Sequence, residues 1–113
     1  MTNANDSLRE YICTDFYHKH AFGILYTDGA RALAENFECY WFLDIIVSYQ
    51  HELKGNDFQV WKLRKNEDGP VTASCTDGND GVLKAQEIPY TDFKADEATL
   101  WVELGVILLP SEH

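Results

Sequence analysis

Three polar side chains on one face of a predicted helix could do acid–base or nucleophilic chemistry. At about 100° per residue, Asp44, Ser48 and His51 share the polar face of a helix that ends near Leu53. A hydrolytic centre also needs an oxyanion site, and it needs other elements that hold nucleophile and base together in a concavity. One open helix face supplies neither. We therefore predict that the chain is not an enzyme and has no catalytic residue.

Trp41 lies on the same polar face, three residues before Asp44. A helix that only covers a sheet has no use for a large ring there. Either another segment of the chain covers the ring, or a partner or ligand does. We predict cover by another segment, because tryptophan is usually mostly buried. Together with Asp44, Ser48 and His51, Trp41 stays a candidate for binding a partner.

The sequence shows no recognisable metal or cofactor site. His18 and His20 would share one face of a strand, but no third ligand stands at a diagnostic spacing. The acidic turns at 67–69 and 77–81 resemble the start of a calcium loop, without its distal glutamate. The three cysteines form no CxxC pair. We expect reduced thiols, no metal and no cofactor.

The charge of the chain is negative and unevenly distributed. Nine acidic and seven basic residues in 1–66 give −2, whereas ten acidic and two basic residues in 67–113 give −8. This balance opposes binding to nucleic acid and to anionic membranes. It favours a basic protein partner, since complementary fields speed encounter. Solubility alone is an equally weighted explanation of the charge.

The order of the sequence patterns predicts the fold class. Helices are predicted over residues 30–36 and about 38–53, the second ending at Gly55 in a left-handed C-cap. Period-two patterns then predict strands at 58–65, 71–76, 82–91 and 99–110, the last with a turn or bulge at Gly105. We predict one α+β domain over 1–113, with residues 1–6 frayed. Two to three helices would pack against an antiparallel sheet of about four strands.

Five blocks of the chain are similar to one family. They are YTDGARALAEN (26–36), YWFLDIIVSYQ (40–50), FQVWKL (58–63), QEIPYTDF (86–93) and GVILLPSEH (105–113). They resemble DUF6876, an uncharacterised family found in bacteria, phages and plasmid-like elements. The resemblance implies a small stand-alone cytoplasmic protein of mobile-element origin. It carries over no activity, cofactor or catalytic residue.

The first functional hypothesis is an interaction protein that blocks a basic, nucleic-acid-binding surface of a host protein, such as a defence component. It follows from the charge of residues 67–113 and from the resemblance. It predicts that acidic side chains cluster on one sheet face or edge, among them Asp77, Asp80, Asp92, Asp96 and Glu97. We expect such a protein to be cytoplasmic and to self-associate as a homodimer.

The alternative hypothesis is a protein that binds or sequesters a nucleotide-like signal. Tryptophan rings stack on bases and guanidinium groups meet phosphate, so the candidates are Arg31, Trp61, Arg64 and Trp101. On their predicted strands, Trp61 shares its face with Gln59 and Trp101 with Glu103. Cross-strand aromatic pairing that stiffens a half-buried sheet accounts for both rings as well, and we favour it.

Overall fold

The computed structural model describes residues 3–20, 23–67, 69–79, 81–89 and 93–113. Its two helices are α1 (Asp28–Asn36) and α2 (Tyr40–Tyr49). The strands are β1 (Tyr17–Lys19), β2 (Leu25–Thr27), β3 (Phe58–Lys65), β4 (Val71–Thr76), β5 (Val82–Ile88), β6 (Glu97–Glu103) and β7 (Val106–Leu108). Short 3-10 turns lie at Ala4–Leu8 and Pro110–Glu112.

The strands form one mixed sheet in the order β1-β2-β7-β6-β3-β4-β5. Its neighbours are antiparallel apart from β2 and β7, which run parallel. The α+β class is confirmed, but the predicted antiparallel sheet of about four strands is wrong. It misses the parallel pair and undercounts the seven strands. Strands β1 and β2 have only three residues each, too short for a period-two signal, and β6 and β7 fall within one predicted strand that turns at Gly105.

Local chemistry sets where each helix begins and ends. Thr27 is the N-cap of α1, and its hydroxyl accepts a hydrogen bond from the amide of Ala30 at 3.2 Å. Before α2 the chain reverses at Glu38, whose φ is 54°. This helix ends at Tyr49, four residues before the predicted end at Leu53, and turns follow up to Gly55. Gly55 has a φ of 93°, as predicted for a left-handed glycine.

One face of the sheet carries the core and both helices. Along β3, the buried Gln59, Trp61 and Leu63 alternate with partly or fully exposed neighbours. Phe42 and Ile46 of α2 are completely buried in the same core. Burial raises the pKa of the Cys39 thiol to about 12 and that of Cys75 to about 11, so both stay protonated. The other side of the sheet, which we call the helix-free face, carries Phe58, Val60 and Trp101.

The described part of the N-terminus contacts the body of the protein. Ala4 is fully buried. The side chain of Asn5 donates to the carbonyl of Thr99 at 2.9 Å and accepts from its amide at 2.7 Å, which satisfies the backbone of β6 beyond the end of β7. That residues 1–6 are frayed stays a prediction of the sequence, and residues 1 and 2 lie outside the described ranges.

Candidate functional site

A cavity of about 640 Å³ opens on the helix side of the sheet, and we call it the helix-side cavity. It lies between the end of α2, the turn at 50–57, the start of β3 and the turn that joins β6 to β7. Its apolar walls are Ile24, Val47, Leu53, Val102 and Leu104. Its volume is within the range of small-molecule sites, about 300–1,000 Å³.

Two glutamines line this cavity and form a closed hydrogen-bond network. Gln50 and Gln59 exchange amide hydrogen bonds at 2.8 and 3.0 Å. Gln59 also accepts from the indole N–H of Trp61 at 2.9 Å and donates to the carbonyl of Asn56 at 3.0 Å. Gln59 is 2% exposed. All hydrogen-bonding positions of its amide are used, so the pair fixes the position of α2 over β3.

The rim of the cavity carries polar groups of several kinds. Ser48 donates to the carbonyl of Ile45 at 2.7 Å, which leaves its oxygen available as an acceptor. Within the described residues, no hydrogen bond or ion pair engages the side chains of His51, Lys54 or Asp57. All three are exposed at the mouth. The rim thus offers donors and acceptors to a molecule that enters.

The four predicted helix residues separate in space. Ser48 and His51 line the cavity, but Asp44 does not. Asp44 instead accepts a hydrogen bond from Nε2 of His20 at 2.8 Å. Trp41 is half-buried, with its ring edge-on to Phe93 at 6.3 Å. Another segment therefore covers part of the Trp41 ring.

The acidic candidates lie at more than one end of the sheet. Strand register places Glu97, Arg64, Thr72 and Glu87 in one row across β6, β3, β4 and β5. Asp96 lies just before this row, and Glu97 is 3.9 Å from the Arg64 guanidinium. Asp77 lies at the opposite end, in the turn after β4, where it accepts from the amide of Asn79 at 2.8 Å. Asp80 and Asp92 lie outside the described residues.

The candidates for a nucleotide-like ligand do not meet. Trp61 is 1% exposed and points into the core, whereas Trp101 lies on the helix-free face against Phe58, with ring centres 5.2 Å apart. Arg64 shares the helix-free face with Trp101 but lies in a different row. Arg31 is on α1 and pairs with Glu35 at 2.9 Å; this hydrogen bond raises the pKa of its guanidinium.

A second polar cluster joins β1 to α1. Asp28 contacts the ring of His18 at 2.8 Å and accepts from the amides of Asp15 and Phe16 at 3.1 and 3.2 Å. The hydrogen bond with His18, followed by these two amides, holds the pKa of Asp28 below its usual 3.8. These contacts tie β1 and the residues before it to the start of α1, so we assign the pair to holding β1 on α1.

Asp28→Asn is expected to destabilise the protein at neutral pH by an amount that shrinks in acid. A carboxyl whose folded pKa is lowered stabilises the fold above its unfolded pKa and loses this contribution as the pH falls through its folded pKa. Unfolding in urea at several pH values, from neutral to below 3.8, measures the difference between variant and wild type. The exposed Glu87→Gln serves as control. A difference that is constant over this range would refute the assignment.

Some lining residues carry a signal in the sequence that points to a site. Asn56 and Asp57 follow Gly55 between a helix and a strand, which is where loops contribute to sites. Leu104 precedes Gly105 in a turn that usually prefers Asn-Gly. The sequence does not indicate that Gln59 is buried, because its burial depends on Gln50, which lies on another element.

Within the described ranges the structure has neither a metal-ion site nor a helix that could span a membrane. No group of three or more His, Cys, Asp and Glu side chains is arranged there to hold a metal ion. No helix in these ranges is long and apolar enough to cross a membrane.

Comparison with known protein families gives a match over nearly the whole chain. Residues 2–113 match the model of DUF6876, which is described as a family of unknown function. The resemblance seen in the five sequence blocks is thereby confirmed. Neither the curated proteins nor the solved structures contain a match to this chain.

Proposed function

Because the chain belongs to the DUF6876 family, whose function is unknown, we propose that it binds a small molecule in the helix-side cavity. The cavity itself is the observation that carries this proposal. It combines apolar walls with a few polar groups at one rim, which is the usual composition of a ligand site. The glutamine pair holds two of its walls together, so the site is formed before the ligand arrives.

The lining favours a mostly apolar ligand with hydrogen-bonding edges, of the size and kind of a heteroaromatic base. Val47, Val102 and Leu104 would contact its flat body, and Ser48 and His51 its polar edge. A phosphate group fits less well. The cavity lies at the C-terminal end of α2, where the helix dipole disfavours an anion. The charge of Lys54 at its mouth is balanced by Asp57, and Arg31 and Arg64 lie elsewhere.

Ser48→Phe is expected to abolish binding in this cavity without loss of stability. Ser48 is exposed, and a phenyl ring in its place would project from α2 into the open volume. The test is a thermal-shift screen of wild type with heteroaromatic compounds, in which a ligand at 100 times its Kd adds about 2.7 kcal/mol. A hit should give a shift in wild type and none in Ser48→Phe.

The matched control is Thr76→Phe, which adds the same ring on the helix-free face, away from the cavity. It should keep the ligand-induced shift. Equal shifts in Ser48→Phe and wild type would show that the ligand binds elsewhere and would refute the proposal.

We infer a second candidate function from the charge: the chain binds a basic protein. The supporting observation is the net charge of −10, with −8 of it in residues 67–113. Such a charge attracts basic surfaces and repels nucleic acid. In more detail, we propose that the chain is a phage or mobile-element protein that acts in the cytoplasm. It would form a homodimer and block a nucleic-acid-binding host protein.

The salt dependence of capture tests this second function. The immobilised chain should retain nucleic-acid-binding proteins from a bacterial lysate at low salt and release them at high salt, because screening weakens surface charge interactions. A variant with Glu67, Asp96 and Glu97 changed to amides should retain less. Retention that is unchanged by salt and by these substitutions would argue against it.

A further inference from the structure

A second, shallower concavity of about 390 Å³ lies on the helix-free face, next to the turn between β6 and β7. We call it the hairpin groove. Its apolar walls are Tyr17, Leu104, Val106 and Leu108, and Glu103 and Glu112 supply its charged groups. Tyr17 and Leu104 are 60% and 74% exposed, so the rim of the groove is an apolar surface open to solvent.

Leu104 is an unusual residue for its position. It forms the two-residue turn with Gly105, and both have positive φ, 49° and 81°. Such turns favour Asn-Gly, because a branched apolar side chain is strained in the left-handed region. The side chain of Leu104 gains little burial in return. Leu104 also reaches the helix-side cavity, but most of its side chain stays open to solvent, and a partner that covers this exposed part accounts for its apolar character.

The charge of the groove selects the partner. None of the described residues that line it is basic. Glu112 is half-buried, and its carboxylate already accepts hydrogen bonds from the Thr27 hydroxyl and the amides of Gly29 and Leu109. Glu103 contacts His113 through Oε2 at 2.9 Å, and among the described residues its Oε1 has no hydrogen-bond donor. A carboxylate accepts more than one hydrogen bond, so Glu103 can receive a cation.

We propose that the hairpin groove is the docking site for a basic segment of a protein partner. A lysine or arginine side chain lays its aliphatic stem along Leu104, Val106 and Leu108, and its charged head reaches Glu103. A polypeptide also covers the exposed rings and methyl groups at the rim, which a free amine inside the groove leaves bare. This proposal rests on the second candidate function, because it assigns that function a surface.

The test is fluorescence anisotropy at low salt with a labelled peptide of Gly-Leu-Lys repeats and a matched peptide of Gly-Leu-Glu repeats. We expect only the lysine peptide to bind. Leu104→Asn and Glu103→Gln should each weaken it about fivefold or more, as hot-spot residues do. Asparagine suits the left-handed turn, so the first variant folds. The controls are Val82→Thr and Glu87→Gln, exposed positions on the far edge strand β5, which should change binding less than about twofold.

Every other outcome overturns either the groove assignment, the basic-partner function or the kind of molecule that the groove takes. If no variant weakens binding more than the controls, the charge attraction stands and the groove assignment fails. If the two peptides bind equally, or neither binds, the basic-partner function fails with it. If free Nα-acetyl-lysine amide competes at the concentration of the peptide, the groove takes a small amine and not a protein segment.

Discussion

Gln59→Met is expected to lower the free energy of unfolding by about 3 kcal/mol, although methionine has nearly the same shape. The substitution leaves the buried indole N–H of Trp61 without an acceptor and removes both amide bonds to Gln50. It also leaves the carbonyl of Asn56 without its donor. A buried group that loses its partner costs about 1–3 kcal/mol, and the gain in apolar burial offsets part of this. Urea denaturation measures the change, and a fall in Tm of roughly 10 °C or more accompanies it.

The control for this prediction is Gln86→Met on β5, which exchanges the same two side chains at an exposed position. Gln86 accepts one hydrogen bond, from the hydroxyl of Tyr49 at 3.1 Å, so its loss should cost under about 1 kcal/mol. The double variant Gln50→Met/Gln59→Met should be about as stable as Gln59→Met. It removes the Gln50 oxygen that would otherwise lose its donor, and it also removes the bond from the Gln50 amide to the carbonyl of Ile46. A cost for Gln59→Met that equals that of Gln86→Met would refute the role of the network.

These glutamines show what the sequence reveals and what it does not. Strands β3 and β4 have the predicted bounds, because alternation and the Asn-Glu-Asp-Gly-Pro turn between them are local signals. Alternation also puts Trp61 and Gln59 on one face, and their hydrogen bond agrees with that. On the helix wheel, Gln50 lies among apolar residues without explanation. Its partner is on a different element, so only the packed structure supplies it.

The two tryptophans of the sheet make the same point about register. The alternation within each strand predicts which of its residues lie on the same face as its tryptophan. It does not predict which face of the sheet packs against the helices. In the structure Val60, not Trp61, is opposite Trp101 across β3 and β6. A shift of one residue would reverse every face assignment. The ligand candidates that the sequence grouped together are therefore split between the core and the helix-free face.

Gly29→Ala is expected to destabilise the protein by about 2 kcal/mol, opposite in sign to what helix propensity alone predicts. An added Cβ would lie 2.5 Å from Oε1 of Glu112 and 2.6 Å from a methyl group of Leu109. The C-terminal tail, residues 109–113, would have to move, and with it the Glu112 carboxylate at the N-terminus of α1. That carboxylate accepts from the hydroxyl of Thr27 at 2.6 Å, the amide of Leu109 at 2.9 Å and the amide of Gly29 at 3.2 Å.

A double-mutant cycle with Glu112→Ala separates the steric effect from propensity. Glu112→Ala alone should cost about 1–3 kcal/mol, since charge-assisted hydrogen bonds are lost. In that background the carboxylate no longer blocks the added methyl group, and the Leu109 side chain can rotate away. Gly29→Ala should then cost less than about 1 kcal/mol, or even stabilise α1. Equal costs in the two backgrounds, measured by urea denaturation, would contradict the contact between the tail and the helix. A coupling of the expected size would show that the tail holds the start of α1 through one carboxylate, and that glycine is required at position 29 to admit it.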